Sequence, residues 1–181
     1  MAHKQPAIGR RISVIGTSGS GKTTLAQQLA ERLGCPHVEL DALNWEPDWT
    51  MSPTDVFRRR VTDALTGDCW TVDGNYSRVR DLIWSRADMV IWLDYSLPRI
   101  YWQLTKRTFR RVFWREKLWG TNQEQLRIVF SRDSIFLWVW NTYWRRRREY
   151  PVLLGKEENG HLTAVIFKSP RQTQKWLDSI N

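Results

Sequence analysis

GTSGSGKT, residues 16–23, is the stretch that decides the fold. It fits the pattern G-x-x-x-x-G-K-[ST], with Gly16, Gly21, Lys22 and Thr23 at the fixed positions. Thr17, Ser18, Gly19 and Ser20 fill the loop, and Thr24 follows it. Upstream, residues 11–15 (RISVI) form a short β-branched run, the composition of a strand. Downstream, Leu25, Ala26, Leu29, Ala30 and Leu33 recur at helical spacing, and Gly34 is a helix stop. Strand, glycine loop and helix is the arrangement that phosphate binding needs. Glycines let successive N–H groups converge on phosphate oxygens, and the helix N-terminus adds partial positive charge. Lys22 is expected to reach the β- and γ-phosphates, and the Thr23 hydroxyl to hold Mg²⁺. ATP with Mg²⁺ is therefore the expected cofactor pair.

Working outward, residues 37–40, 70–73, 89–93 and 162–167 read as four further strands. Helices are expected over about 23–33, 52–65, 77–85 and 169–177, with Ser52 as N-cap and Pro53 at N1 of the second. Strands alternating with helices imply an α/β fold with a five-stranded parallel sheet covered on both faces. Residues 98–150 break the alternation. They read as two helical pieces, about 98–114 and 123–149, with a break near Ser131 and no strand between them. We expect a flexible tail over residues 1–10 and one domain over 11–181, with a helical lid inserted at about 98–150.

The chain has 181 residues, a net charge of +9 and twelve tryptophans. Such a charge favours anionic partners: nucleotides, nucleic acid or an anionic membrane surface. The first ten residues lack the apolar core of a secretory signal, and no apolar run reaches membrane-spanning length, so a cytoplasmic location is expected. On that reading Cys35 and Cys69 are reduced thiols. In IFLWVWNTYWRRRR (135–148) the tryptophans surround the helix, which favours burial over membrane attachment. Arg145–Arg148 complement the dipole at a helix C-terminus.

Three strands end in an acid: Asp41, Asp73 and Asp94. Ligands of open α/β sheets bind at those ends, where an acid can hold Mg²⁺ or take a proton from an attacking hydroxyl. Strand-end acids also simply favour turns, and Asp94 fits that reading equally well. Asp73 is the second metal candidate beside Thr23, and Asp41 the candidate base. Gly74 follows Asp73, and Arg78 could offer a fork to a second anion. Trp45 and Trp49 could stack on a planar ligand or form a flap.

These segments resemble the adenylate kinase-related P-loop kinases, and within them the small bacterial topology modulation (FlaR-like) subgroup. GTSGSGKT, LDALNW (40–45), DGNYSR (73–78), VIWLD (90–94), RTFRR (107–111) and RDSIFLW (132–138) carry the resemblance. It implies a P-loop NTPase three-layer sandwich and γ-phosphate transfer from ATP to a small acceptor, such as a nucleoside monophosphate. In adenylate kinases the acid after the third strand places Mg²⁺ and the following arginine binds acceptor phosphate, which match Asp73 and Arg78. Asn75-Tyr76-Ser77 replaces the aromatic-proline pair and shifts the arginine by one. The Asp41 segment looks more like gluconate- and shikimate-type kinases, where the acid meets an acceptor hydroxyl. The resemblance also implies lid arginines, here Arg107 and Arg111 on one helix face, with Arg110, Arg127 and Arg132 in reserve. It further puts Arg171 beside the adenine. The competing reading is an ATP-dependent nucleic-acid-binding or DNA-topology-modulating protein, suggested by the charge and the interleaved Arg and Trp.

Overall fold

The computed structural model describes residues 8–113, 117–118, 122–123 and 135–180, the side chains of 110–135 excepted. Five strands, β1 (Arg11–Gly16), β2 (His37–Glu39), β3 (Trp70–Asp73), β4 (Met89–Leu93) and β7 (Thr163–Phe167), form a parallel sheet in the order β2-β3-β1-β4-β7. Among the described residues seven α-helices accompany it: α1 (Lys22–Leu33), α2 (Leu40–Asn44), α3 (Thr54–Ala64), α4 (Arg80–Trp84), α5 (Leu97–Phe113), α6 (Ile135–Leu154) and α7 (Pro170–Asp178).

Side chains alternate across the sheet, so each strand feeds two cores. Ile12, Val14, Met89 and Ile91 pack against Leu25 and Leu29 of α1, Ile100 and Leu104 of α5, and Trp176 and Leu177 of α7. Val72, Val90 and Trp92 face Phe57 and Val61 of α3 and Ile83 and Trp84 of α4. Helix α6 serves both, giving Val139 and Tyr143 to the first core and Tyr150 to the second. Burial on both faces explains why β4 (MVIWL) is apolar throughout.

Several expectations change. The lid segment carries a two-residue antiparallel pair, β5 (Lys117–Leu118) with β6 (Asn122–Gln123), where no strand was expected between the two helical pieces. Helix α6 runs past Pro151 to Leu154, because Tyr150, Leu153 and Leu154 are anchored in the second core. Residues 1–7 of the expected tail, the start of the expected 123–149 helix and its break at Ser131 lie outside the described residues. Ser52 does not cap α3; its hydroxyl donates to Glu46 Oε1 at 2.9 Å instead. Val139, Tyr143, Arg146 and Tyr150 form the buried stripe of α6, while Leu137, Trp138, Trp140 and Trp144 stay exposed, so its tryptophans do not enter the core. Cys35 and Cys69, expected as separate thiols, are paired as a disulfide with Cα atoms 5.5 Å apart. The cause is strand register: His37 sits opposite Thr71, and the same parallel step two residues back sets Cys35 opposite Cys69.

Asp88 ties the starts of β1 and β4. Its carboxylate accepts from the backbone N–H groups of Arg10 and Arg11 and from Arg11 Nη2 at 2.6 Å. The Arg11 guanidinium holds the Asp88 carboxyl below the usual carboxylate range, helped by those N–H groups. A depressed folded pKa contributes stability above the unfolded value, lost as pH falls through the folded one. Asp88→Asn should therefore lower urea-unfolding stability by about 1–2 kcal/mol at neutral pH, with the gap closing as pH falls below about 3.9. A gap that persists unchanged at acid pH contradicts this role.

Candidate active site

The phosphate loop joins β1 to α1. Gly19 and Gly21 take φ of +83° and +88°, where a side chain is strained. A Cβ on Gly19 would also press on the Ile100 carbonyl at 3.2 Å. Ser20 N donates to Thr17 O at 3.0 Å, closing the turn, and Leu25 N donates to Gly21 O at 3.0 Å, opening the helix. Helix α1 has no acid in its first turn, so its N-terminal N–H groups keep their positive field. Thr17 and Ser20 are buried, Ser18 is half-buried, and Gly21 and Thr24 are exposed.

Lys22 Nζ donates to Thr17 O at 3.4 Å. Crowding by protein atoms pulls its pKa down to about 8, against the stabilising charges of Asp73 and Asp41 and with the repulsion of Arg146 and Arg107. Those four charged groups therefore converge on the lysine. Arg107 of α5 is among the expected lid residues. The side chains of Arg110 and Arg111, and Arg127 and Arg132 altogether, lie outside the described residues.

Asp73 is buried at the end of β3, and its Oδ2 accepts from the Thr23 hydroxyl at 2.7 Å. The two metal candidates thus meet across 50 positions of sequence. His37 Nε2 lies 2.9 Å from the other oxygen, Oδ1, and steadies the carboxylate. A hydroxyl beside a carboxylate offers hard oxygen donors. That suits Mg²⁺, which takes one or two protein oxygens and completes its shell with water and phosphate. Among the described residues no group of three or more His, Cys, Asp or Glu could hold a metal unaided.

Asp41, in the first turn of α2, accepts from the Tyr76 hydroxyl at 2.5 Å on Oδ1. Burial raises the Tyr76 pKa above its ordinary value, and the Asp41 charge and hydrogen bond add to this, so the phenol stays a donor. Asn44 and Trp45 also hydrogen-bond Tyr76. Trp45 and Trp49 meet edge-to-face at 5.6 Å, and Trp49 and Asp48 adopt φ near +56° and +58°, a strained turn for non-glycine residues. Gly74 N donates to Val14 O at 3.4 Å, against Leu40.

Arg78 is held where the anion fork was expected. Its Nη1 donates to Ser52 O and Thr54 Oγ1, its Nη2 to Asn44 Oδ1, and its guanidinium lies 5.1 Å from the Phe57 ring centre. It braces the wall behind Asp41. Asp94 pairs with Arg147 Nε at 3.0 Å and with Lys168, pinning α6 to the sheet. Arg171 is exposed in the first turn of α7.

Three side chains that were not singled out complete the site. Asn75 clamps the loop: its Oδ1 accepts from Gly16 N at 3.1 Å and its Nδ2 donates to Gly16 O at 2.6 Å. Tyr150 OH donates to Asn75 Oδ1 at 3.0 Å. Arg146 is 6% exposed, over the Trp138 ring at 4.7 Å. Arg145–Arg148 were expected to complement the dipole at a helix C-terminus, but α6 runs on to Leu154, and its buried stripe sets Arg146 apart.

A family model described as an AAA domain matches residues 12–175. The chain belongs to this AAA domain family. Among curated relatives, a shikimate kinase of Symbiobacterium thermophilum is 35% identical over 107 residues, covering 50% of this chain and 60% of that protein. A cytidylate kinase of Nitratidesulfovibrio vulgaris is 32% identical over 71 residues, covering 38% of this chain and 31% of that protein. The match thus spans about a third of the length of the cytidylate kinase. In fold, the chain is similar to shikimate kinase from Bacteroides thetaiotaomicron (TM-score 0.55, 14% identity, 93% and 94% of the two chains). It is likewise similar to a gluconokinase from Sinorhizobium meliloti 1021 (TM-score 0.53, 18% identity, 94% of each). The three-layer P-loop kinase fold is therefore shared along nearly the whole chain, as GTSGSGKT implied. Among the described residues no helix is long and apolar enough to cross a membrane.

A bound phosphate would return the missing proton to Lys22, because an adjacent opposite charge favours the ammonium. Nucleotide binding should then take up a proton above pH 8, the Lys22 midpoint. ADP affinity measured by calorimetry should be level below about pH 8 and fall towards tenfold per unit above it. A level affinity to about pH 10 contradicts this environment for Lys22.

Proposed function

We propose that the protein is an ATP-dependent phosphotransferase that passes the γ-phosphate, with Mg²⁺, to a hydroxyl of a small acceptor. The observation that carries this reading is the Thr23 hydroxyl, at the exit of the phosphate loop, on the strand-end carboxylate of Asp73 at 2.7 Å. In this reading Asp41 takes the acceptor's hydroxyl proton, and the freed oxygen attacks the γ-phosphorus. The bond from phosphorus to the β–γ bridging oxygen breaks, and ADP leaves with that electron pair. Tyr76 aims the Asp41 carboxylate through Oδ1. Thr23 and Asp73 would hold Mg²⁺, which neutralises charge on the β- and γ-oxygens when bound. Lys22 supplies fixed charge to the transferring group, and Arg107, with Arg111, closes over it from the lid.

Because Asn44, Ser52 and Thr54 occupy the Arg78 guanidinium, the acceptor is recognised first through its hydroxyl at Asp41, with Trp45 beside it. That favours a hydroxyl-bearing small molecule over the adenylate kinase-like monophosphate pairing with Arg78. Kinases of small hydroxy acids among the structural neighbours support the same choice. Arg171 at the adenine and membership of the topology modulation subgroup are further parts of this reading.

A screen with γ-labelled ATP against sugar acids, nucleosides and nucleoside monophosphates tests it. At least one hydroxyl acceptor should be labelled. Lys22→Ala should slow transfer on the order of 100-fold, the loss typical for a fixed charge aimed at the transition state. Asp41→Asn should lower turnover about 10²-fold or more while ADP affinity holds. Transfer that survives both substitutions refutes these roles.

A further inference from the structure

Between α4 and α6, next to the phosphate loop, lies a cavity of about 560 Å³ to which the phosphotransfer reading assigns no ligand. Four arginines line it, Arg80, Arg145, Arg146 and Arg148, against a single acidic residue, Glu149. Asn75 and Tyr150 form its inner wall. Arg145 approaches Glu149 only loosely, at 3.7 Å, and Arg148 Nε reaches no nearer than 3.4 Å to the Trp144 carbonyl. The cavity therefore keeps a large excess of positive charge.

Arg146 is what separates this cavity from an ordinary solvated basic face. The residue is more than nine-tenths buried; its guanidinium hydrogen-bonds the Tyr150 hydroxyl, but its Nη1 is enclosed with no hydrogen-bond partner among the described residues. A buried cation with an unmet donor is costly unless an anion completes it. A guanidinium fork suits a phosphate, which accepts two parallel N–H bonds. The volume lies within the 300–1,000 Å³ range of small-molecule sites (roughly), so it holds more than a bare ion.

The cavity is also wired to the phosphate loop. Tyr150 OH donates to Asn75 Oδ1 at 3.0 Å, and Asn75 grips both backbone groups of Gly16. Arg146 itself acts on Lys22 through charge. We propose that this cavity is a second phosphate site, taking the phosphate group of a small phosphorylated molecule and coupled to the phosphate loop through Tyr150 and Asn75. The proposal goes beyond the transfer reading, which assigns no ligand to this cavity.

The test titrates inorganic phosphate, by calorimetry at physiological salt, into the full chain already saturated with Mg–ADP. One further phosphate should bind. Arg80→Ala/Arg148→Ala should weaken it at least about tenfold, and Arg146→Met should do the same, each in protein whose melting curve stays cooperative. Tyr150→Phe should leave phosphate binding within about twofold but abolish the change in ADP affinity that phosphate causes in the wild type. Phosphate binding that is unchanged in both arginine variants overturns the site, as does the lack of any binding. If Mg–ADP fails to bind, the transfer reading fails, and the same titration on Lys22→Ala protein still tests the cavity. A phosphorylated acceptor that displaces phosphate, when its dephosphorylated form does not, shows that the group belongs to the acceptor. Simultaneous binding shows a separate effector.

Discussion

The amide of Asn75 closes on Gly16 from both sides, accepting from its N–H and donating to its carbonyl. Two residues earlier, the Asp73 carboxylate accepts from Thr23, just inside the helix that the loop opens. The end of β3 thus grips the phosphate loop at its entry and at its exit. A glycine-rich loop is intrinsically loose, because glycine loses the most backbone freedom on ordering. These side-chain contacts supply order that the loop's own sequence lacks. The parallel pairing of β1 with β3 makes them geometrically available, with Val14 opposite Asp73.

The same segment organises the neighbouring walls. Tyr76 holds Asp41, Asn44 and Trp45 bond Tyr76, and Arg78 braces Asn44. Several basic residues brace the fold through carboxylates: Arg11 with Asp88, Arg58 with Asp81, Arg60 with Glu46, and Arg147 and Lys168 with Asp94. Arg107 and Arg146 act on Lys22 through charge. A basic composition of this kind reflects a polyphosphate site and paired bracing more than a nucleic-acid surface.

The parts legible in the sequence are those that local patterns encode. Glycine spacing gave the loop, alternation gave the sheet, and strand-end position singled out Asp41 and Asp73. Asn75, Tyr150, His37 and Arg146 were not legible, because each acts through partners tens of positions away. Asn75 reaches Gly16 across 59 residues and Tyr150 reaches Asn75 across 75. No periodicity marks such a contact; only strand order and register do. The Cys35–Cys69 pairing is hidden for the same reason, and it follows once His37 is set against Thr71. Adjacency to Asp73-Gly74 marked Arg78, but not its hydrogen bonds to Asn44 and Ser52, which α2 and the turn before α3 bring to the guanidinium.

The central claim is that loop and β3 end act as one magnesium–nucleotide unit, and a double-mutant cycle on magnesium-dependent ADP binding tests it most directly. Calorimetry with and without Mg²⁺ on the wild type, Thr23→Val, Asp73→Asn and the double variant gives the four corners. The account predicts that Mg²⁺ tightens binding in the wild type, that either substitution removes most of that gain, and that the double variant loses little more. Equal affinity with and without Mg²⁺ in the wild type, or losses that simply add, would contradict it.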